Sequence, residues 1–99
     1  MTTPLTVLRR LGDNRDQVAI NLAALDCRGE RSNCLACPVA LYLLRSELNP
    51  VEVLVGDYEA ELTYTSGHKD TVDLPEAVHE FVIGFDHGMY DQLLKPVTA

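Results

Sequence analysis

Cys27, Cys34 and Cys37 form the pattern in this chain best suited to chemistry, with the spacing C-x6-C-x2-C. Two thiolates three residues apart can turn toward one tetrahedral ion, so Cys34 and Cys37 together with Cys27 outline a zinc site. Such a site needs a fourth ligand, and no second C-x2-C follows. A carboxylate or one of His68, His79 and His87 would have to supply it. Each histidine also has a plain surface reading. His68 falls in a turn, His79 lies off the apolar stripe of its helix, and His87 sits near a helix end, where an imidazolium is favoured anyway. An iron–sulfur cluster usually takes four thiolates and finds only three here. A thiol-redox role has one argument for it and one against. Cys37 stands at a helix N-cap, where the helix dipole favours thiolate, with Cys34 as a resolving partner. A thioredoxin-like pair should follow a strand, however, and here a helix and a polar loop precede it. Small, apolar, buried cysteines without a metal are the simplest reading. The expectation is therefore no cofactor, with zinc at Cys27, Cys34 and Cys37 as the alternative.

Other catalytic constellations are missing from the sequence. It holds no G-x-S-x-G, Walker loop, G-x-G-x-x-G or H-E-x-x-H. His79-Glu80 lacks a second histidine, and Ser32, Ser46 and Ser66 stand in no nucleophile elbow. A chain of 99 residues without a phosphate loop or a paired acid and base reads as a non-enzyme.

Charge is the second signal. The formal net charge is −7, and it is unevenly spread. Residues 1–45 hold six arginines and four acids, whereas residues 46–99 hold Lys69 and Lys95 against eleven acids. A surface this acidic repels phosphates, so direct nucleic-acid binding is not expected. A basic protein partner suits it, with Glu52, Asp57, Glu59, Glu61, Asp70 and Asp73 around the strands as the contact residues. Plain solubility is the bland explanation of the same charges. There is no apolar run long enough for a membrane span and no signal-peptide pattern at the start. Three cysteines, an odd number, fit a disulfide scaffold poorly. A cytoplasmic protein is expected.

The elements that must position these residues follow from periodicity. Thr3 and Pro4 open a short helix with Leu5, Leu8 and Leu11 on one side, ended by Gly12. Asp13 or Asn14 caps a second helix, whose stripe is Val18, Ala19, Leu22 and Leu25, with Gly29 beyond its end. A polar loop from Cys27 leads to Cys37-Pro38, which opens a strongly apolar helix predicted to run to Leu48, before Asn49-Pro50. Val51, Val53 and Val55 alternate with polar or outward residues, as do Ala60, Leu62 and Tyr64, and Thr71 to Leu74 makes a third short strand. Pro75 begins a last long helix, at its first position, with Val78, Phe81, Val82 and Phe85 on one face. Gly88 ends that helix, and one or two turns follow over Met89 to Leu94.

The expected architecture is α+β: a small antiparallel three-stranded meander packed against three or four helices. It forms a single domain over 1–99, with flexible ends at 1–3 and 96–99. A small sheet has edges that invite pairing, so the chain is expected as a monomer or homodimer.

Two stretches carry a resemblance. Cys37-Pro38-Val39-Ala40-Leu41-Tyr42-Leu43 resembles CP-x-A-x-Y-L. Leu74-Pro75-Glu76-Ala77-Val78-His79-Glu80-Phe81-Val82, continued by Phe85-Asp86-His87-Gly88-Met89-Tyr90, resembles LP-x-x-V-x-x-F-V-x-x-F-D-x-G-x-Y. In this order, with a valine-rich strand between, residues 25–93 resemble a group of small uncharacterised proteins of actinobacteria and their phages. The resemblance implies a small cytoplasmic protein and no established activity. The same residues also read as helix caps and core positions.

Overall fold

A computed structural model of the chain describes residues 3–31, 33 and 35–94. Cys34, Ser32, residues 1–2 and the expected flexible tail at 96–99 lie outside the described residues. Thr3, expected in a flexible end, is the N-cap of the first helix. Its hydroxyl accepts the amide of Thr6, and α1 runs over Pro4–Arg9. Gly12 then takes a φ of +136°, which a side chain rarely tolerates, and turns the chain into α2, Arg15–Ala24. Asn14 caps α2 through Gln17 N–H.

The predicted elements are present with shifted boundaries, and the third strand, expected over Thr71 to Leu74, runs over Lys69–Asp73. Helix α2 stops at Ala24, and Asp26 rather than Gly29 adopts the left-handed conformation after it. Leu25, expected on the buried stripe, is therefore the C-cap and is 54% exposed. Helix α3 covers Pro38–Leu44 and ends short of Leu48. Ser46 accounts for the early stop, because its hydroxyl and its amide both bond back to Leu43 C=O. Pro75 is the N-cap of α4, Glu76–Asp86, one position before the expected place.

The sheet has the order β1-β2-β3, with β1 at Glu52–Val55, β2 at Glu59–Thr63 and β3 at Lys69–Asp73. Both pairings are antiparallel. Val53 stands opposite Leu62 and Leu62 opposite Asp70, while Val55 stands opposite Ala60 and Ala60 opposite Val72. With side chains alternating along each strand, those residues share one face. Val53, Val55, Ala60 and Leu62 are buried there, in one core with Leu8, Leu22, Val39, Leu43, Phe81 and Phe85 of the helices. The α+β expectation is met, with all four α-helices of the described residues contributing to the core on one side of the sheet. Val51, predicted within the first strand, precedes it and is 58% exposed. Within the core Phe81 lies 5.9 Å from Phe85, and 5.1 Å from the half-buried Tyr90, between ring centroids. Among the described residues, no helix is long and apolar enough to cross a membrane.

Gly29 and Arg31, in the segment after α2, are tied to α4 and to residues 89–93. Gly29 N–H donates to Leu93 C=O at 2.8 Å, and Glu30 N–H donates to Ala36 C=O at 2.9 Å. Arg31 donates from Nε to Phe85 C=O at 2.7 Å and from Nη2 to Met89 C=O at 2.9 Å and to the Asp91 carboxylate at 2.7 Å. Its guanidinium also lies 5.2 Å from the Phe85 ring centre. One side chain thus joins the last turn of α4, at Phe85, to the segment that follows it, at Met89 and Asp91.

Candidate functional site

The face of the sheet turned away from the helices carries the charge. Glu52, Leu54, Glu59, Glu61, Thr63, Lys69, Thr71 and Asp73 alternate with the buried residues and so point outward. Across the sheet, Glu52 stands opposite Thr63 and Thr63 opposite Lys69, Glu61 lies between Leu54 and Thr71, and Glu59 stands directly opposite Asp73. Lys69 reaches Glu61 at 3.5 Å. Among the described residues, Glu52, Glu59 and Asp73 have no ion pair, and the arginines make theirs elsewhere. Arg10 pairs with Glu47, Arg28 with Asp26, and Arg31 with Asp91.

Of the six carboxylates expected to meet a partner, four are brought together on this surface and two are not. Asp70 lies on the opposite face of β3, where its carboxylate receives the Tyr64 hydroxyl at 3.2 Å and meets His68 Nε2 at 2.9 Å. Asp57 belongs to the β1–β2 turn. Its carbonyl accepts from His79 Nδ1, and the His79 ring stacks on Tyr58 at 4.6 Å. His79 therefore does not simply face solvent, as its place off the Val78/Phe81 stripe suggested. It ties α4 to the turn.

The two described cysteines, Cys27 and Cys37, line different cavities. Cys27 is 1% exposed and lines a cavity with Tyr42 and Arg45, and Arg45 Nη1 approaches its Sγ at 3.9 Å. Burial pushes the Cys27 thiol above its ordinary value, and the nearby Arg45 charge opposes that only in part. Cys37 lines a different cleft, of about 520 Å³, between the β1–β2 turn and α4, together with Asp57, Asp86 and His87. Its sulfur accepts the Ala40 amide at 3.4 Å, so the predicted N-cap role of Cys37 is met. Cys34 lies outside the described residues. Within them, no group of three His, Cys, Asp or Glu side chains is arranged to hold one metal ion. His68 stays with Asp70 in its turn, and His87 is the C-cap of α4.

Sequence reasoning missed the clamp built by Arg31 and the latch built by His79. Both join residues more than twenty positions apart, and local periodicity holds no signal for such pairs. Comparison with protein-family models, with curated proteins and with solved structures finds no match to this chain.

Proposed function

We propose that this protein is a non-enzymatic interaction module whose outer sheet face docks a basic partner protein. The observation that carries the reading is the gathering of Glu52, Glu59, Glu61 and Asp73 on the outer face of the sheet, with Glu59 and Asp73 directly opposed. Like charges placed opposite each other across two strands weaken a sheet. A lysine or arginine side chain from a partner would relieve that repulsion on binding, which gives the face a preference for cations beyond its net charge. The arginines support the same reading, because the carboxylates they pair with, Glu47, Asp26 and Asp91, lie outside the strands. The face acts through steering and register, so salt should weaken the association.

A fluorescein-labelled peptide of alternating lysine and serine, followed by anisotropy at low salt, tests this. Glu59→Lys with Glu61→Lys should weaken binding by about tenfold or more. Asp13→Lys with Glu80→Lys changes net charge equally at exposed positions off the face and should cost less than about threefold. Equal losses in the two double variants would mean that overall charge alone attracts the peptide, and the docking face would be rejected.

A further inference from the structure

β3 is an edge strand of the sheet, and its backbone can be read residue by residue. Leu74 N–H donates to Tyr58 C=O at 2.8 Å, and Tyr64 N–H donates to His68 C=O at 2.9 Å. In an antiparallel ladder, pairs that exchange hydrogen bonds alternate with pairs that do not. Val72 opposite Ala60 and Asp70 opposite Leu62 are therefore the bonded pairs between those two anchors. The intervening residues Lys69, Thr71 and Asp73 turn their N–H and C=O groups away from β2. Among the described residues, none of these groups bonds to anything outside the sheet. β2 lies on the other side of β3, so among the described residues no strand pairs with these groups.

We infer that this edge pairs with the same edge of a second copy of the chain, antiparallel and centred on Thr71. That register sets Thr71 against Thr71 of the second copy and Lys69 against its Asp73. Every outward-turned N–H and C=O of Lys69, Thr71 and Asp73 then meets its complement. Lys69 and Asp73 share the outer face, so each ammonium lies beside a carboxylate of the other copy. Asp73, which faces Glu59 within its own sheet, gains a cation on its other side. Charge selects this register. Centring on Lys69 or on Asp73 opposes like charges, and slipping by two residues leaves Lys69 against Thr71. On the inner face Asp70, already held by Tyr64 and His68, comes beside Val72 of the second copy. An isolated lysine on an edge strand usually discourages pairing. Here an aspartate at the matching distance turns the same lysine into a pairing signal. The two sheets become one six-stranded sheet, in order β1-β2-β3 and back, with the acidic surfaces of both copies on one side. This pairing does not depend on the basic partner proposed above.

Sedimentation equilibrium of the full chain across a wide concentration range tests the inference. The expected mass rises from the monomer's 11.0 kDa to twice that value. Lys69→Asp alone and Asp73→Lys alone should each weaken the dimer by about tenfold, and the two together should restore it. Thr71→Pro removes a central edge N–H at a position where an edge strand tolerates proline, and should abolish the dimer with an unchanged circular dichroism spectrum. If Thr71→Pro does not fold, the charge-swap series decides alone. A monomer at all concentrations, a dimer indifferent to the single charge reversals, or a double reversal that fails to restore it would each overturn the proposal.

Discussion

Glu59 and Asp73 stand directly opposite each other on β2 and β3, two carboxylates on the solvent side of the sheet with no cation between them among the described residues. Lys69, on the same face, goes to Glu61 instead. Cross-strand like charges are destabilising, so a chain shaped by folding alone would gain from changing one of them.

That leads to a trade between stability and binding. Glu59→Gln should raise the free energy of unfolding by a few tenths of a kcal/mol, most clearly at low ionic strength. The same variant should bind the basic peptide more weakly. Urea titration and anisotropy on one preparation check both. A less stable Glu59→Gln would show that the pair is not repulsive.

Arg31 should be costly to remove. It serves the carbonyls of Phe85 and Met89 and the Asp91 carboxylate at once. Arg31→Ala strips three charge-assisted bonds from those oxygens and unties Arg31's segment from α4, at a cost of about 2 kcal/mol. Arg31→Lys should recover less than half of that, because an ammonium cannot reproduce the planar fork. Urea midpoints of the two variants measure it, and full recovery by lysine would contradict the clamp.

Gly29 is required by space and not by φ. A Cβ there would lie 2.2 Å from Ala36 C=O oxygen and 2.8 Å from the Cys37 carbonyl carbon. Both neighbours are backbone, so neither can rotate away. Gly29→Ala should lower stability by about 3 kcal/mol, measured by urea titration. Gly67→Ala has open space around its Cβ and would report only the strain of its φ of +88°.

Alkaline pH should unfold the protein through Tyr42 and Cys27. The Tyr42 hydroxyl donates to Val7 C=O at 2.6 Å, and burial holds its pKa above the ordinary value. Burial raises the Cys27 thiol likewise. Both groups are neutral when protonated, and the folded state holds those protons more tightly than the unfolded chain does. Their stabilisation is complete below the ordinary phenol and thiol values and is lost as pH rises through the raised ones. Tyr42→Phe should cost about 1 kcal/mol at neutral pH and flatten the loss above it. Thermal melts from pH 7 to pH 11 record both effects. Iodoacetamide should react with Cys27 only at the rate of unfolding, since a buried protonated thiol is a poor nucleophile.

Much of this architecture was readable because it rests on local physics. Thr3, Asn14 and Cys37 cap helices with their own side chains. Val78, Phe81, Val82 and Phe85 recur at the helical period, and Val53, Val55, Ala60 and Leu62 at the strand period, and all are buried. Leu25 shows where periodicity failed. It continues the stripe of α2 in sequence, but the helix had already ended, and a stripe has no meaning past its last turn.

The candidate site divides along the same line. Residue types and spacing alone determined the late concentration of acid, the meander and the cap at Cys37. Which carboxylates share a surface depended on register, since adjacent residues of a strand point to opposite sides and a shift of one exchanges the faces. Only the folded chain set Glu59 against Asp73, turned Asp70 inward to Tyr64, and brought Arg31 onto the end of α4. Those contacts join segments distant along the chain, and their geometry is decided by the packing that closes the core between them.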